Sequence, residues 1–282
     1  MRLNKGFYSL SHITKIAPGY LSLEETLSKY QIAEGLCVHA GAHKLQELDI
    51  YKKFNLSPRI WIEAIPELVK SAQKKVINSV DDFVHEGALW SSTGISIDFN
   101  IAKADYSSSI LPMKLHKFIM GSGLKEIISL RSVTLDDLVT TNFRDLDRVK
   151  LLVLDLQGVE FEALQGATRL MEIIEFIYTE VSLVELYKGQ HRFTEIDNFM
   201  KVKGFSLIDF EVNHKYGDGN ALYRNNRNHL SHEMEINLMS FENGYRFLKP
   251  SFLYDWVFLV AKFKIISFLL LVRNRIRKLT GA

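Results

Sequence analysis

The sequence predicts an α/β protein of the Rossmann-like, doubly wound class, in which helices cover both faces of a mostly parallel sheet. Short apolar runs alternate with segments of helical periodicity along most of the 282 residues. The run at 36–38 leads directly into a turn of small residues at 40–42. A second apolar run at 60–62 ends on an acid, Glu63, about 20 residues past that turn. These observations indicate a strand–turn–helix–strand unit at the start of the sheet.

That first unit, residues 36–64, has the arrangement that binds a nucleoside ribose. Between its two strands, apolar residues at 45–54 recur near the 3.6-residue period of a helix. Small residues let backbone N–H groups at a helix N-terminus approach a ligand, and an acid at the next strand end accepts hydrogen bonds from ribose hydroxyls. The small-residue turn and Glu63 are therefore candidate nucleoside contacts.

A third strand is expected at 83–89, ending at Trp90 and Ser91. A tryptophan at that strand end has two interpretations, stacking on an adenine and packing in the core. The period then changes, because apolar and polar residues alternate at 95–101, which is typical of a half-exposed antiparallel strand. Residues 93–133 are therefore interpreted as a strand-containing insertion that covers the site.

Acids mark the ends of the later strands. Four consecutive aliphatic residues at 151–154 predict a buried strand that ends at Asp155. A helix is expected from Glu160, and the strand at 176–178 leads to Glu180. Because parallel strands end at one edge of a sheet, these acids are expected in one cleft, where they can raise one another's pKa. One of them is then a candidate base for a hydroxyl, and hydrogen bonding without proton transfer is the alternative.

The last part of the main domain adds one further candidate and an antiparallel pair. His191 lies in a loop and is an alternative base. Strands at 205–212 and 220–224 are predicted to pair antiparallel at one edge of the sheet. The predicted organisation is a lead-in at 1–35, a main domain at 36–225, a linker at 226–250 and a helical tail at 251–282.

Composition restricts the class of protein. Hydrophobic residues at 47% and charged residues at 24% are ordinary for a folded chain. The net charge of +2 gives no bulk attraction to nucleic acid, so no nucleic-acid partner is expected. A lone cysteine, Cys37, excludes an intramolecular disulfide, and the N-terminus lacks a signal-peptide core, which favours a cytoplasmic location. No histidine or cysteine spacing supports a metal site.

The C-terminal tail, 251–282, is predicted to be an amphipathic helix with a basic end. Apolar residues dominate it, but Asp255, Lys262 and Lys264 interrupt them, so no run reaches the ~18 residues of a membrane span. Basic residues crowd 273–278. This pattern suits a helix lying peripherally on the inner face of a membrane, and packing on the core or on a second subunit is the alternative.

Three groups of motifs, in order along residues 35–225, resemble the FkbM-type family of S-adenosylmethionine-dependent methyltransferases. The first group is 38–47 with 61–64, the second is 133–138 with 154–160 and 164–167, and the third is 178–182, 186–190 and 219–223. The serine run at 107–109 is similar to one branch of that family. Several motifs that occur in the same order as in the family identify it more specifically than any single motif does.

The resemblance implies a class I methyltransferase fold and S-adenosylmethionine as cofactor. Cofactor contacts are then expected at His39, Gly41, Ala42, His43, Glu63, Ala64, Trp90 and Ser91, and catalytic roles at Asp155, Glu160 and Glu180. Two positions depart from the family, since His39 stands where members carry an acid and Leu45 where they carry a second glycine. A side chain at positive φ costs about 1 kcal/mol or more, so the loop is expected to be rearranged or Leu45 not to be left-handed.

The expected function is methylation of a hydroxyl or amine of a sugar, glycan or secondary metabolite. Methyl transfer from a sulfonium is an in-line displacement that destroys a positive charge, so it needs a dry pocket and aligned groups. A nicotinamide-dependent oxidoreductase is one alternative, but it predicts a fuller glycine pattern and a Tyr/Lys or Ser catalytic pair. A catalytically silent, membrane-associated nucleoside-binding module is the other, and His39 and Leu45 favour it. The acceptor and the oligomeric state are not specified by these patterns.

Overall fold

The structure is a computed structural model, and it describes residues 21–119, 121–143, 146–213 and 217–227. The lead-in before residue 21, the linker from residue 228 and the tail at 251–282 lie outside the described residues. Among the described residues, no helix is long and apolar enough to cross a membrane.

The described residues form ten strands and eight α-helices. The strands are β1 (Gly35–Ala40), β2 (Leu56–Glu63), β3 (Asp82–Glu86), β4 (Ala88–Leu89), β5 (Ser96–Ala102), β6 (Leu124–Val133), β7 (Val149–Leu154), β8 (Ile174–Ser182), β9 (Phe205–Val212) and β10 (Asp218–Asn225). The helices are α1 (Leu23–Lys29), α2 (Leu48–Lys53), α3 (Pro66–Lys75), α4 (His116–Ile119), α5 (Leu135–Asn142), α6 (Glu160–Gln165), α7 (Leu170–Ile173) and α8 (Phe193–Val202).

Seven of the strands form the main sheet, in the order β3-β2-β1-β7-β8-β10-β9. Strands β1, β2, β3, β7 and β8 pair in parallel, and β10 lies antiparallel between β8 and β9. The predicted mostly parallel sheet with an antiparallel pair at one edge is therefore confirmed. Consecutive strands β1 and β2 lie on one side and β7 and β8 on the other, so the order reverses between β1 and β7. Open α/β sheets bind ligands at the carboxyl ends of the strands beside such a reversal.

Both faces of the sheet are buried, because the central strands are apolar in both directions. Alternate residues of β7 enter different core clusters: Leu152 packs with helices α5 to α8, and Leu151 packs with α1 to α3. The same division separates Val38 from Cys37 on β1. Cys37 is a fully buried free thiol, as expected for an inert core position. Helices on both faces leave the carboxyl edge of the sheet as the place for a ligand.

The predicted strand at 83–89 is divided at Gly87. Strand β3 belongs to the main sheet, whereas β4 pairs with β6 in a separate three-stranded sheet that also contains β5. A Cβ on Gly87 would lie 2.8 Å from a methyl carbon of Leu138, so the chain passes too close to α5 for a side chain there. The Gly87 N–H donates to the Glu63 carbonyl oxygen. The insertion is therefore attached to the sheet directly beside the end of β2.

Two predicted helices are shorter than their periodicity indicates. The helix expected at 45–54 begins only at Leu48, because residues 41–47 form successive turns. The helix expected from Glu160 ends at Gln165, and α7 follows after a break at Gly166. A Cβ on Gly166 would lie 2.5 Å from the Trp90 carbonyl oxygen, so the loop after β4 requires glycine there. The first difference removes a helix N-terminus from the predicted small-residue turn.

Candidate active site

A cleft of about 780 Å³ lies at the carboxyl ends of β1, β2, β4 and β7. The predicted residues that line it are His39, Gly41, His43, Glu63, Ala64 and Asp155. The fold therefore brings residues from three strand ends, more than 100 positions apart along the chain, to one wall.

Gly41 makes the tight junction between β1 and β7. Its φ is +86°, and a Cβ there would lie 1.8 Å from the Asp155 carbonyl oxygen. The N–H groups of Gly41 and Ala42 both donate to the Ile62 carbonyl oxygen, at 2.9 and 3.0 Å. These two N–H groups therefore hold the ends of β1 and β2 together. This corrects the expectation that they donate hydrogen bonds to a ligand. Ala42 is fully buried in the core and does not line the cleft.

Leu45 does adopt the left-handed conformation, with φ of +54°. Its side chain is completely buried in the core cluster beneath the turn, beside Leu48 and Tyr51, and does not line the cleft. Full burial of a leucine side chain contributes about 1.5–3 kcal/mol, which exceeds the ~1–2 kcal/mol cost of the left-handed backbone. Leu45 therefore stabilises the turn and leaves the cleft open.

Glu63 is 6% exposed and is oriented by three backbone donors. Its Oε2 accepts from the His43 N–H at 2.8 Å, and its Oε1 accepts from the N–H groups of Ala64 and Ile65 at 2.9 Å. Burial raises the pKa of the carboxyl, and these three hydrogen bonds act against that rise. A carboxylate offers about four acceptor sites, so one remains for a ligand hydroxyl. The predicted role as ribose contact stays a prediction, and the geometry is compatible with it.

His39 is buried between aromatic rings at the base of the cleft. Its Nδ1 lies 2.7 Å from the Tyr51 hydroxyl oxygen, and its ring packs against Trp61 with the ring centroids 5.3 Å apart. Burial lowers the pKa of the imidazole, which favours the neutral form. The backbone of Gly41 is a further hydrogen-bond partner of the ring. His39 is thus held in place by the turn and by its aromatic neighbours.

The mouth of the cleft joins the small-residue turn to the insertion. His43 Nε2 lies 3.1 Å from Asp105 Oδ1 without hydrogen-bond geometry, and Lys44 Nζ lies 2.9 Å from Asp105 Oδ2. Asp105 begins a 3₁₀ turn, Asp105–Ser107, that also carries Tyr106 into the cleft. The insertion therefore forms one wall of the site.

A second cavity, of about 640 Å³, opens beyond Asp155 at the ends of β7, β8 and β10. It is lined by Tyr106, His116, Asp155, Gln157, Glu180, Asp218 and Asn220. Tyr106, Asp155 and Gln157 line both this cavity and the first cleft. The two spaces therefore meet at these three residues. We call the first space the donor cleft and the second the acidic cavity.

Gln157 connects the carboxylates at this junction. Its Nε2 donates to Asp155 Oδ1 at 2.8 Å and to Glu180 Oε2 at 3.0 Å, and its Oε1 accepts from the Tyr187 hydroxyl at 2.8 Å. Burial, followed by the charge of Asp155, raises the pKa of Glu180 well above its usual value. Asp155 is exposed at the strand end, so the pair presents one accessible carboxylate and one that favours its protonated form.

Glu160 is brought near these acids but has a different environment. It is 2% exposed and lines neither space. Its carboxylate accepts from the Leu156 N–H at 2.8 Å and from the Gly158 N–H at 3.1 Å. Burial raises its pKa to about 7 despite these donors. The predicted catalytic contact is therefore replaced by a structural one, in which Glu160 holds the loop that carries Asp155 and Gln157.

Three further candidates do not reach either space. Trp90 and Ser91 are absent from both linings, since the break at Gly87 directs the chain toward β6, where the Trp90 N–H donates to the Val133 carbonyl oxygen. Ala88 and Leu89, just before them, line the donor cleft instead. His191 lies outside both spaces, with Nδ1 3.0 Å from Glu195 Oε1 and its ring against Phe161.

Several lining residues were not predicted from the sequence. Gln157 lies within a motif that was recognised, and Tyr106 directly precedes the serine run, so both had a signal in the sequence. Asn220 also lies within a motif that was recognised, 219–223. His116 and Asp218 had no such signal, because only the sheet order brings β10 and the insertion together. Within the described ranges, no group of three or more His, Cys, Asp or Glu side chains could hold a metal ion.

Comparison with known proteins gives a family match and remote structural likenesses. The model of a family described as the methyltransferase FkbM domain matches residues 39–207. No curated protein matches the chain.

Three solved structures illustrate the likeness in fold. A methyltransferase FkbM from Methylobacillus flagellatus KT is 15% identical, with a TM-score of 0.42 over 68% of this chain and 44% of that one. Magnesium protoporphyrin IX methyltransferase from Synechocystis PCC 6803, with bound SAM, is 10% identical, with a TM-score of 0.40 over 71% and 74%. A putative tRNA (m1A22) methyltransferase from Streptococcus pneumoniae, in complex with S-adenosyl-L-methionine, is 11% identical, with a TM-score of 0.46 over 86% and 89%.

Proposed function

The chain belongs to the FkbM methyltransferase domain family, and from this membership we propose that it methylates a hydroxyl of a small polyhydroxylated acceptor, such as a sugar, a glycan or a secondary metabolite. It is an S-adenosylmethionine-dependent methyltransferase. Family membership therefore rules against the alternative of a nicotinamide-dependent oxidoreductase. When bound, S-adenosylmethionine supplies an electrophilic methyl carbon on a positively charged sulfur. The hydroxyl acceptor is the part that we propose.

One observation supports the proposal most directly: the donor cleft and the acidic cavity meet at Tyr106, Asp155 and Gln157. In-line transfer requires the methyl donor and the attacking oxygen to approach from opposite sides of one point. Two adjoining spaces with a shared wall are compatible with that requirement. Of the three residues that belong to both linings, Asp155 is the one with a carboxylate.

The donor cleft fits a nucleoside by its chemistry. One wall is apolar, with Ile65, Leu68 and Leu89, and suits the face of a base. Glu63, with one acceptor site left, would take a ribose hydroxyl. Because Leu45 leaves this cleft open, the catalytically silent alternative loses one of the two features that favoured it.

The acidic cavity supplies groups for the acceptor. The exposed carboxylate of Asp155 would accept the proton of the attacking hydroxyl, and protonated Glu180 would hydrogen-bond a neighbouring oxygen. General-base assistance of this kind contributes about 10²–10⁴-fold in rate. The alternative is that both acids only hydrogen-bond the acceptor, without proton transfer. The two mechanisms predict different losses of rate in an Asp155→Asn variant, with the larger loss for proton transfer.

The proposal is tested by titration followed by a transfer assay. We expect S-adenosylmethionine and S-adenosylhomocysteine to bind the full chain in a calorimeter and NADPH not to bind. Labelled methyl groups should then pass from S-adenosylmethionine to a member of a panel of monosaccharides and aminocyclitols. Binding of the sulfur nucleosides without transfer to any hydroxyl compound would contradict the proposed acceptor class.

The membrane-surface and partner expectations concern residues outside those described, so they stay predictions. We propose that the basic tail at 251–278 lies on anionic membranes and that nucleic acid is not a partner. Flotation with anionic liposomes should recover the full chain and not a chain that ends at Lys249. Equal recovery of both chains would contradict the role of the tail.

A further inference from the structure

We propose that the aromatic ring of Tyr106 recognises the positive charge on the sulfur of S-adenosylmethionine, through a contact between the sulfonium and the face of the ring. The inference rests on the proposed function, because it takes the junction of the donor cleft and the acidic cavity as the point where the methyl group is transferred. It makes Tyr106 a specificity-determining residue, which separates the charged donor from the neutral product, S-adenosylhomocysteine. These two ligands differ only in the methyl group and the charge on sulfur.

The first argument is the position of Tyr106. Of the described residues, three line both spaces, and Tyr106 is the aromatic one among them, beside Asp155 and Gln157. The sulfur of the donor is bonded directly to the methyl group that is transferred, so it lies beside the same junction. Phe99 lines the donor cleft alone, and His116 lines the acidic cavity alone. Within this part of the chain, Tyr106 is therefore the ring best placed to meet the sulfonium.

The second argument is that the turn around Tyr106 is held in place while the ring stays uncovered. On one side, Asp105 Oδ2 lies 2.9 Å from Lys44 Nζ. On the other side, the Ser107 carbonyl oxygen accepts from the Tyr187 hydroxyl at 3.2 Å. Ser107 is fully buried, whereas Tyr106 is 59% exposed. The turn therefore fixes the backbone of a residue whose ring surface is free for a ligand, and burial of such a ring is strongly favourable.

The third argument is the chemistry of the sulfonium group. It carries a positive charge but no N–H or O–H, so it cannot be recognised by donating a hydrogen bond. Two kinds of side chain attract such a cation, a carboxylate and the face of an aromatic ring. The junction supplies one of each, in Asp155 and Tyr106. The electron pair of the broken C–S bond stays on the sulfur, which becomes neutral, so the attraction to the ring is lost on transfer and release of the product is favoured.

The test compares the affinities of the two ligands, so it needs no acceptor. S-adenosylmethionine and S-adenosylhomocysteine are titrated in a calorimeter into the full natural chain, Tyr106→Phe and Tyr106→Leu. We expect Tyr106→Leu to raise the Kd of S-adenosylmethionine about fivefold and that of S-adenosylhomocysteine less than about twofold, because only the sulfonium loses a partner for its charge. Tyr106→Phe keeps the ring and should keep both affinities.

Two further comparisons separate the charge of the ring face from other effects of a substitution. Fluorinated phenylalanines, introduced at position 106, withdraw electrons from the ring face at nearly constant shape. Each added fluorine should weaken the binding of S-adenosylmethionine and leave that of S-adenosylhomocysteine unchanged. Phe83→Leu replaces an exposed ring on β3, which lines neither space, and should change neither Kd. Thermal unfolding of Tyr106→Leu should match that of the natural chain, because the side chain is largely exposed.

The outcomes separate this inference from the proposed function. Equal losses for both ligands in Tyr106→Leu would indicate apolar packing and overturn the inference, as would unchanged affinities or a loss of the same size in Tyr106→Phe. Failure of the natural chain to bind either ligand would contradict the donor cleft and this inference with it. Failure to find a hydroxyl acceptor would count against the proposed function alone, because no acceptor enters these titrations. A loss that is confined to S-adenosylmethionine, absent from Tyr106→Phe and graded with fluorination is the result that supports the inference.

Discussion

The donor cleft and the acidic cavity share a wall at Asp155, but they are built from different kinds of interaction. In the donor cleft the one buried acid, Glu63, is satisfied by three backbone N–H groups, and apolar side chains complete the wall. In the acidic cavity, carboxyl groups face one another with a single amide between them. The acid of the donor cleft is therefore held by backbone groups, whereas the acids at the junction with the acidic cavity are held by side chains.

The same contrast separates two neighbouring glutamates. Burial raises the pKa of both Glu160 and Glu180. Glu160 accepts N–H groups of its own loop, whereas Glu180 faces an open cavity. A raised pKa therefore does not by itself mark a catalytic acid, and the direction in which the carboxylate faces decides its role.

The largest effect is expected at Gly41, where the turn after β1 lies against the backbone of Asp155. Gly41→Ala would place a Cβ 1.8 Å from the Asp155 carbonyl oxygen at a φ of +86°. The clash and the left-handed strain together should lower the free energy of unfolding by at least about 3 kcal/mol. Gly94 has φ of +87° and nothing within 4 Å of its Cβ position, so Gly94→Ala should cost only about 1 kcal/mol. If urea denaturation gave the same loss in the free energy of unfolding for both variants, the close approach of Gly41 to Asp155 would contribute nothing to stability.

The next effect concerns the shared wall. Asp155→Asn should lower kcat for methyl transfer by about 100-fold or more, because the hydroxyl proton loses its acceptor. The Kd for S-adenosylhomocysteine should change by much less, since Glu63 and the apolar wall remain. A fall in kcat below about tenfold would favour hydrogen bonding without proton transfer. Asp98→Asn is the matched control and should behave as the natural chain does.

Glu160→Gln tests whether this residue is structural. The amide keeps one acceptor oxygen and adds an N–H that faces backbone donors, so the free energy of unfolding should fall by about 1–3 kcal/mol. Transfer at low temperature should persist, because Glu160 lines neither space. A loss of kcat comparable to that of Asp155→Asn, in a folded variant, would restore the catalytic role that the sequence suggested.

The pH dependence of stability gives a smaller and more specific signal. A carboxyl whose pKa rises on folding from 4.5 to about 7 keeps its proton longer in the folded state. Its contribution to stability is therefore complete below pH 4.5 and is lost as the pH rises through about 7. Urea denaturation across this range should show a steeper decline for the natural chain than for Glu160→Gln. Parallel curves would mean that Glu160 does not titrate as its burial indicates.

The smallest effect on ligand binding is expected at Leu45, where two contributions to stability oppose each other. Leu45→Gly removes about 1–2 kcal/mol of left-handed strain but exposes the core that the leucine fills. Large-to-small core substitutions cost about 2–5 kcal/mol, so the net loss should be about 1–3 kcal/mol. S-adenosylhomocysteine affinity should be unchanged at a temperature where the variant is folded. Tighter binding would mean that the leucine obstructs the donor cleft.

The parts of the fold that could be predicted are those encoded by local patterns. Four consecutive aliphatic residues define β7. Glu63 and Asp155 lie at the ends of β2 and β7, whereas β8 continues two residues past Glu180, and each of the three acids lines one of the two spaces or both. Strand alternation and the family motifs were enough to predict the antiparallel pair at the edge. These features depend on residues that are close together along the chain.

The parts that could not be predicted depend on which distant groups meet. Trp90 was expected at the adenine because the break at Gly87 arises from contact with α5, which no local pattern shows. Glu160 lies at the start of a helix, where acidic residues are common. Only the folded loop shows that its carboxylate accepts hydrogen bonds from the N–H groups of Leu156 and Gly158. His116 enters the acidic cavity from the insertion, whose position is set by tertiary packing.

The central claim, that the donor cleft binds the sulfur nucleoside, is tested most directly by titrating S-adenosylhomocysteine into Glu63→Gln and Glu86→Gln. These two acids end neighbouring strands in register, and only Glu63 lines the donor cleft. The account predicts a Kd at least about tenfold higher for Glu63→Gln, because a hydrogen bond to a charged group contributes about 1.5–3 kcal/mol, and an unchanged Kd for Glu86→Gln. Equal affinity of both variants and the natural chain would contradict it.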